Sequence, residues 1–119
     1  MSAFDLFQIQ DTILSGQALG AGIQVNGCHP VRLVMPAAWD AASITLQESP
    51  DNATWQNLYD NNGGEITVQA AASRTIVIPP SLLPGLIYLR LRSGTSGAPV
   101  NQTANRIVTW YVKKYGGSS

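Results

Sequence analysis

The chain has 119 residues and a mass of 12.7 kDa, one domain's worth of sequence and enough for a core that needs neither disulfides nor a structural metal. Hydrophobic residues make up 45% and charged residues 12%, with seven acidic side chains balancing seven basic ones; Ser, Thr, Asn and Gln take the place of the missing charge. These 119 residues are expected to form a single domain. The composition also argues against disorder, which combines low hydrophobicity with high net charge, and against a nucleic-acid surface, which needs a basic excess.

Alternation with period two recurs along the chain and no window sustains helical spacing, so the sequence predicts an all-β fold. A first extended segment runs from about Phe7 to Leu14, preceded by the apolar stretch SAFDLFQIQ. Ser15 to Gly27 carries four glycines and reads as an irregular connection. VRLVM at 31–35 is a strand that Pro36 ends. SITLQES at 43–49 places Ile44 and Leu46 inward and Thr45 and Gln47 outward, toward water.

PDNA at 50–53 is a turn. Trp55, Asn57 and Tyr59 share one face of a short strand, and DNNGG at 60–64 supplies a hairpin loop before Ile66 and Val68. RTIVIPP at 74–80 is a strand stopped by its prolines. LIYLRLR at 86–92 puts Ile87, Leu89 and Leu91 on one face and Tyr88, Arg90 and Arg92 on the other. Residues 93–105 form the longest polar loop. RIVTWYVKKY closes the pattern, with Val108, Trp110 and Val112 opposite Ile107, Thr109 and Tyr111.

Seven or eight such strands predict an antiparallel two-sheet β-sandwich or jelly roll. The expected organisation is an N-terminal arm and first strand over 1–15, a sandwich domain over 16–115 and a flexible tail over 116–119. Its expected core is Ile44, Leu46, Trp55, Ile66, Val68, Ile76, Ile78, Leu89, Leu91, Val108 and Trp110.

Sets of side chains able to do catalysis are missing, and no enzyme activity or cofactor is expected. Cys28 is the single cysteine and His29 the single histidine; as neighbours in an extended chain they point to opposite faces and make a poor nucleophile pair. Cys28 reads better as a small buried hydrophobe. Asp51 with Asn52, and Asp60 with Asn61 and Asn62, offer oxygen ligands to calcium, but the turn reading is preferred and no metal is expected. Arg90, Arg92 and Arg106 suit an anion or a partner's carboxylates, although arginines on a sheet more often lay their stems over apolar surface with their heads in water. Trp55 and Trp110 read as core plugs, and Trp39 sits on an apparent loop. The start of the chain shows no signal-peptide pattern and no stretch reaches the ~20 apolar residues of a membrane span, so folding in a cytoplasm is expected.

Two windows resemble the discoidin-like, or galactose-binding-like, β-sandwich: ITLQESPDNATWQNL at 44–58, through Ser49, Asp51 and Trp55, and YLRLR at 88–92. Both are scaffold motifs and carry no ligand residue. The middle of the chain, from MPAAWDAASITLQESPDNATW to YLRLRSGTSGAPVNQ, also resembles small proteins encoded among the head and tail genes of tailed bacteriophages. That resemblance implies a structural virion protein, such as a head decoration or cement protein or a small neck or tail component. The implied partners are other virion proteins, capsid or neck or tail subunits. The apolar arm SAFDLFQIQ also predicts a homo-oligomer, for instance a trimer, and neither nucleic acid nor membrane is expected. The alternative is a carbohydrate-binding module on a host-recognition spike. Phe4, Leu6, Phe7, Trp39, Arg90 and Arg92 are the expected partner-binding residues.

Overall fold

The structure, a computed structural model, describes residues 6–114. Within them nine strands follow one another: β1 Leu6–Ile13, β2 Ile23–Gln24, β3 Cys28–Val34, β4 Ile44–Ser49, β5 Gln56–Asn57, β6 Thr67–Val68, β7 Thr75–Val77, β8 Tyr88–Ser93 and β9 Arg106–Lys114. They form two antiparallel sheets packed as a sandwich. Sheet A has the order β1-β9-β3-β7; sheet B has the order β2-β8-β4-β5, with β6 also pairing with β4. Phe4 and the 116–119 tail lie outside the described residues.

The registers follow from which face each strand must bury. β1 pairs with β9 without a break from Leu6↔Lys113 to Ile13↔Arg106, so Phe7, Ile9, Asp11 and Ile13 share the inner side with Val112, Trp110 and Val108. Leu33 lies opposite Trp110 on the same side. Between Pro30 and Arg32 the β3–β9 register shifts, where a proline in mid-strand has no N–H to give the ladder. In sheet B, Leu46 faces Leu91 across β4 and β8.

Ile13, Leu33, Val108, Trp110 and Val112 of one sheet therefore meet Ile23, Ile44, Leu46, Val68, Leu89 and Leu91 of the other in a single buried core. Two residues expected there are placed differently. Ile76 is only half-buried and packs at the margin, because β7 is the outer strand of its sheet. Trp55 is not in the core. Asn57 pairs with Gln47 on the outer side of sheet B, and Trp55, two residues earlier, keeps to that side.

The stretch expected to be irregular, Ser15 to Gly27, is an interrupted edge strand of sheet B. Ser93 N–H donates to the Ala18 carbonyl and Gly20 N–H to the Leu91 carbonyl, and Ile23 then pairs with Leu89. Leu19 lies opposite Arg92, so the pairing slips by one residue between the two halves. Asp11 fills the slip. Leu91 N–H, which a regular ladder would direct to Gly20, donates instead to Asp11 Oδ2 at 3.1 Å, and Gly22 N–H donates to Oδ1 at 2.9 Å. A carboxylate from sheet A thus completes the edge of sheet B.

Candidate functional site

Arg92 lies on the outer face of β8, and its head is not in water. Only 6% of the residue is exposed. Its Nε donates to Thr45 Oγ1 at 3.0 Å, Nη1 to Asn57 Oδ1 at 2.8 Å and Nη2 to Glu65 Oε2 at 2.8 Å. The planar guanidinium supplies three divergent donors that a lysine could not. Thr45, expected to be wet, is buried under it and donates in turn to the Gly94 carbonyl at 2.7 Å.

Arg90, one outward position along β8, donates from Nε to Gln47 Oε1 at 2.7 Å and holds its guanidinium carbon 4.3 Å from the centre of the Trp55 ring. Its pKa is lowered, chiefly by burial and also by Arg92, against the opposing charge of Asp11. Burial raises the Asp11 pKa, while the N–H groups of Gly22, Leu91 and Ala21 and the charge of Arg90 pull it back.

At the same end of β8, where Ser93 follows Arg92 in the chain, fully buried Gln102 ties the Asp40 loop to the ends of β8 and β9. Its Nε2 donates to the Ser93 hydroxyl at 2.8 Å and the Asp40 carbonyl at 3.1 Å; its Oε1 accepts Asp40 N–H at 2.9 Å and Arg106 Nε at 3.1 Å. Arg106 also pairs with the Asp40 carboxylate, which lowers the Asp40 pKa. The loop at 93–105 is therefore pinned. Trp39, on the neighbouring loop, donates its indole N–H to the Ala42 carbonyl at 3.0 Å and packs against the core.

Asp51 and Asp60 hold turns. Asp51 Oδ1 accepts the N–H groups of Thr54 and Ala53 and the Ser49 hydroxyl; Asp60 Oδ1 accepts those of Gly64 and Asn62. These bonds lower both pKa values, with Thr54 and Gly64 the largest respective influences. Among the described residues no group of three His, Cys, Asp or Glu side chains is placed to hold a metal. Cys28 lies at the core margin and His29 pairs in register with Lys113.

The expected partner-binding residues thus separate. Arg90, Arg92 and Trp39 are tied into the scaffold, whereas Leu6 and Phe7 belong to β1 and are 53% and 48% exposed. Leu6 opens onto the outer face of sheet A. There Gln8, Gln10, Ile107, Thr109, Tyr111, Arg32 and Val77 lie in adjacent rows, with no carboxylate among the described residues. A cleft of about 390 Å³ on this face is lined by Leu6, Val31, Arg32, Tyr111 and Lys113. Another, of about 420 Å³, lies where β1 leaves sheet A and is lined by Leu14, Leu19, Gly20 and Arg90 among others.

Sequence reasoning missed Asp11 and Gln102. Asp11 had a signal, since an acid on the parity of Phe7, Ile9 and Ile13 must be buried with its own partners. Gln102, one amide in a polar loop, had none. Comparison with family models, with curated proteins and with solved structures finds no match to this chain.

Proposed function

We propose that this chain is a structural protein of a tailed-bacteriophage virion, a head decoration or cement protein or a small neck or tail component, assembled in the host cytoplasm. The outer face of sheet A carries the reading. Exposed Leu6, Ile107 and Val77 stand there among amides, hydroxyls and the cations Arg32 and Lys113, with no carboxylate among the described residues, a composition suited to docking on a subunit surface that offers apolar contact and carboxylates. The resemblance of the middle of the chain to proteins of phage head and tail gene clusters points the same way. So does the use of the polar clusters: the Arg92, Gln102 and Asp11 sets serve the scaffold's own hydrogen bonds.

The test is to purify tailed particles from a lysate of the source culture through a density gradient and quantify this chain by peptide mass spectrometry. A fixed copy number per particle is expected. Its absence from particles while it is present in the lysate refutes the proposal. The carbohydrate-binding alternative rests on Tyr59, 50% exposed beside Asp60. It is disfavoured by Arg90 lying over Trp55 and by the absence of Tyr59 or any tryptophan from the walls of the two clefts. Saturable glycan binding lost in Tyr59→Ala would reverse that preference.

A further inference from the structure

We propose that the free edge of β1 pairs with the same strand of a second copy of this chain, antiparallel about a two-fold axis through Gln8. The two four-stranded A sheets then become one continuous sheet. This goes beyond the virion reading and holds for the purified chain alone.

Which backbone groups are free follows from one contact. On the side away from β9, the Thr12 carbonyl accepts Ala21 N–H at 3.1 Å. Backbone groups alternate sides along an antiparallel strand, so those of Leu6, Gln8 and Gln10 also point off the edge, while Phe7, Ile9 and Asp11 bond to β9. No described residue pairs with that stretch. The other sheet edges are blunted: β2, β5 and β6 have two residues each, and β7 has three and runs into Ile78, Pro79 and Pro80. β1 has eight residues, and over its uncovered part, residues 6–10, it has neither proline nor lysine nor a bulge nor an inward charge. Its single charge, the inward Asp11, lies past that stretch, at the end that Ala21 already covers.

Two features select a second copy over a foreign strand. Residues 6–10, LFQIQ, carry no charge, so self-apposition opposes no like charges and a charged partner strand gains nothing. The register is also self-complementary. With Gln8 opposite Gln8, Leu6 meets the second copy's Gln10 and every free donor and acceptor from 6 to 10 is used. The pairing stops where Ala21 already occupies Thr12. Sliding by two residues, to set Gln8 opposite Gln10, would drive Leu6 against that occupied position. In the chosen register Phe7, half exposed in the single chain, lies across from the second copy's Ile9 in the non-hydrogen-bonded position, where side chains approach most closely.

The experiment is analytical ultracentrifugation of the full chain across a wide concentration range, with three variants. Gln8→Pro removes an N–H that points off the edge and leaves the β1–β9 bonds in place; it should be monomeric with an unchanged β circular-dichroism spectrum. Gln8→Lys sets two like charges opposite each other on the axis and should raise the dimer dissociation constant at least tenfold. Val77→Lys, on the far edge of sheet A, should dimerise as the wild type does. In a Cys28→Ala background, Gln8→Cys should cross-link much faster than Val77→Cys, since the paired Cα atoms would sit ~5.5 Å apart. A wild-type chain that stays monomeric throughout, a dimer unaffected by Gln8→Lys, or equal cross-linking rates would overturn the proposal. Should Gln8→Pro not fold, the lysine and cysteine variants still decide.

Discussion

Gly20→Ala tests whether Asp11 really seals the slipped edge of sheet B. A Cβ on Gly20 would fall 2.6 Å from Asp11 Cγ and against its Oδ2, well inside contact distance. Gly20 has no positive φ, unlike Gly16, Gly27 or Gly85, so alanine meets no backbone penalty and the cost is steric. The carboxylate cannot step aside freely because Leu91 and Gly22 hold one oxygen each. Overpacking costs about 1–3 kcal/mol, and each hydrogen bond to a charged group lost in relieving it costs about 1.5–3 kcal/mol. A loss of about 3–5 kcal/mol is expected, a large share of the stability of a domain this size.

The informative measurement is the cycle with Asp11→Ala, read as urea midpoints at constant m. Asp11→Ala alone strands two buried N–H groups and should cost about 3 kcal/mol. In that background the space beside Gly20 is empty. Adding Gly20→Ala should then be neutral or gain up to about 1 kcal/mol from the less flexible unfolded chain, giving a coupling energy of about 3 kcal/mol or more. An alanine penalty that persists undiminished without Asp11 would show that the glycine is needed for another reason.

Arg92→Met should cost about 3–5 kcal/mol, since it strands Glu65 and Asn57 beneath a covered surface, and Arg92→Lys should recover less than half of that in the same urea titration. Gln102→Ala should cost about 2 kcal/mol and speed exchange of the Asp40 amide, whose acceptor it removes, at least tenfold by hydrogen-exchange mass spectrometry. Asp11 and Asp40 should give opposite pH slopes. The folded protein holds the Asp11 proton more tightly than the unfolded chain does, so its contribution falls as pH rises from the ordinary carboxylate value to the raised one. The Asp40 contribution is present above the ordinary value and is lost as pH falls through the lowered one. The stability difference between wild type and Asp11→Asn should therefore shrink or reverse with rising pH in the first window; parallel profiles would contradict the raised value.

Period-two alternation made most of the fold legible. Leu89 and Leu91, or Val108 and Trp110, are told apart from their outward neighbours by parity alone, and the structure buries all four. Parity fails where an outer face is itself covered. Trp55 shares the side of Asn57, and whether that side is inner or outer depends on pairing with Gln47, a long-range fact that no local window contains. Thr45 and Arg92 look solvated by the same rule, yet Arg92 lies over Thr45 and is met by Glu65, 27 residues earlier in the chain. The glycines of 15–27 signalled irregularity correctly, but an edge strand with one slip and a chain break carry the same local composition. Of the candidate interface, Leu6 and Phe7 were visible as apolar residues before any turn signal; the acid-free face they adjoin appears only once β1, β9, β3 and β7 lie side by side.

That placement segregates charge in a chain whose net charge is zero. Arg92 is paired with Glu65 and Arg106 with Asp40, and Arg90 lies over Trp55. The cations left over, Arg32, Arg74, Lys113 and Lys114, belong to sheet A or the turn that leads into β7, whereas Glu48, Asp51 and Asp60 belong to β4 and the turns around β5. Two modes of contact then differ in their dependence on salt. Pairing along β1 engages residues 6–10, which carry no charge, so the self-association constant should change less than twofold between about 0.05 and 0.5 M salt, a range over which screening lengths fall from ~14 to ~4 Å. Docking of the outer face of sheet A on another subunit brings Arg32 and Lys113 against that subunit's surface, favours one rich in carboxylates, and should weaken severalfold over the same range. Release of the chain from particles by salt, with its self-association intact, is the expected pattern. Loss of self-association by salt with particle binding retained would mean that the edge and the face have been assigned to each other's contacts.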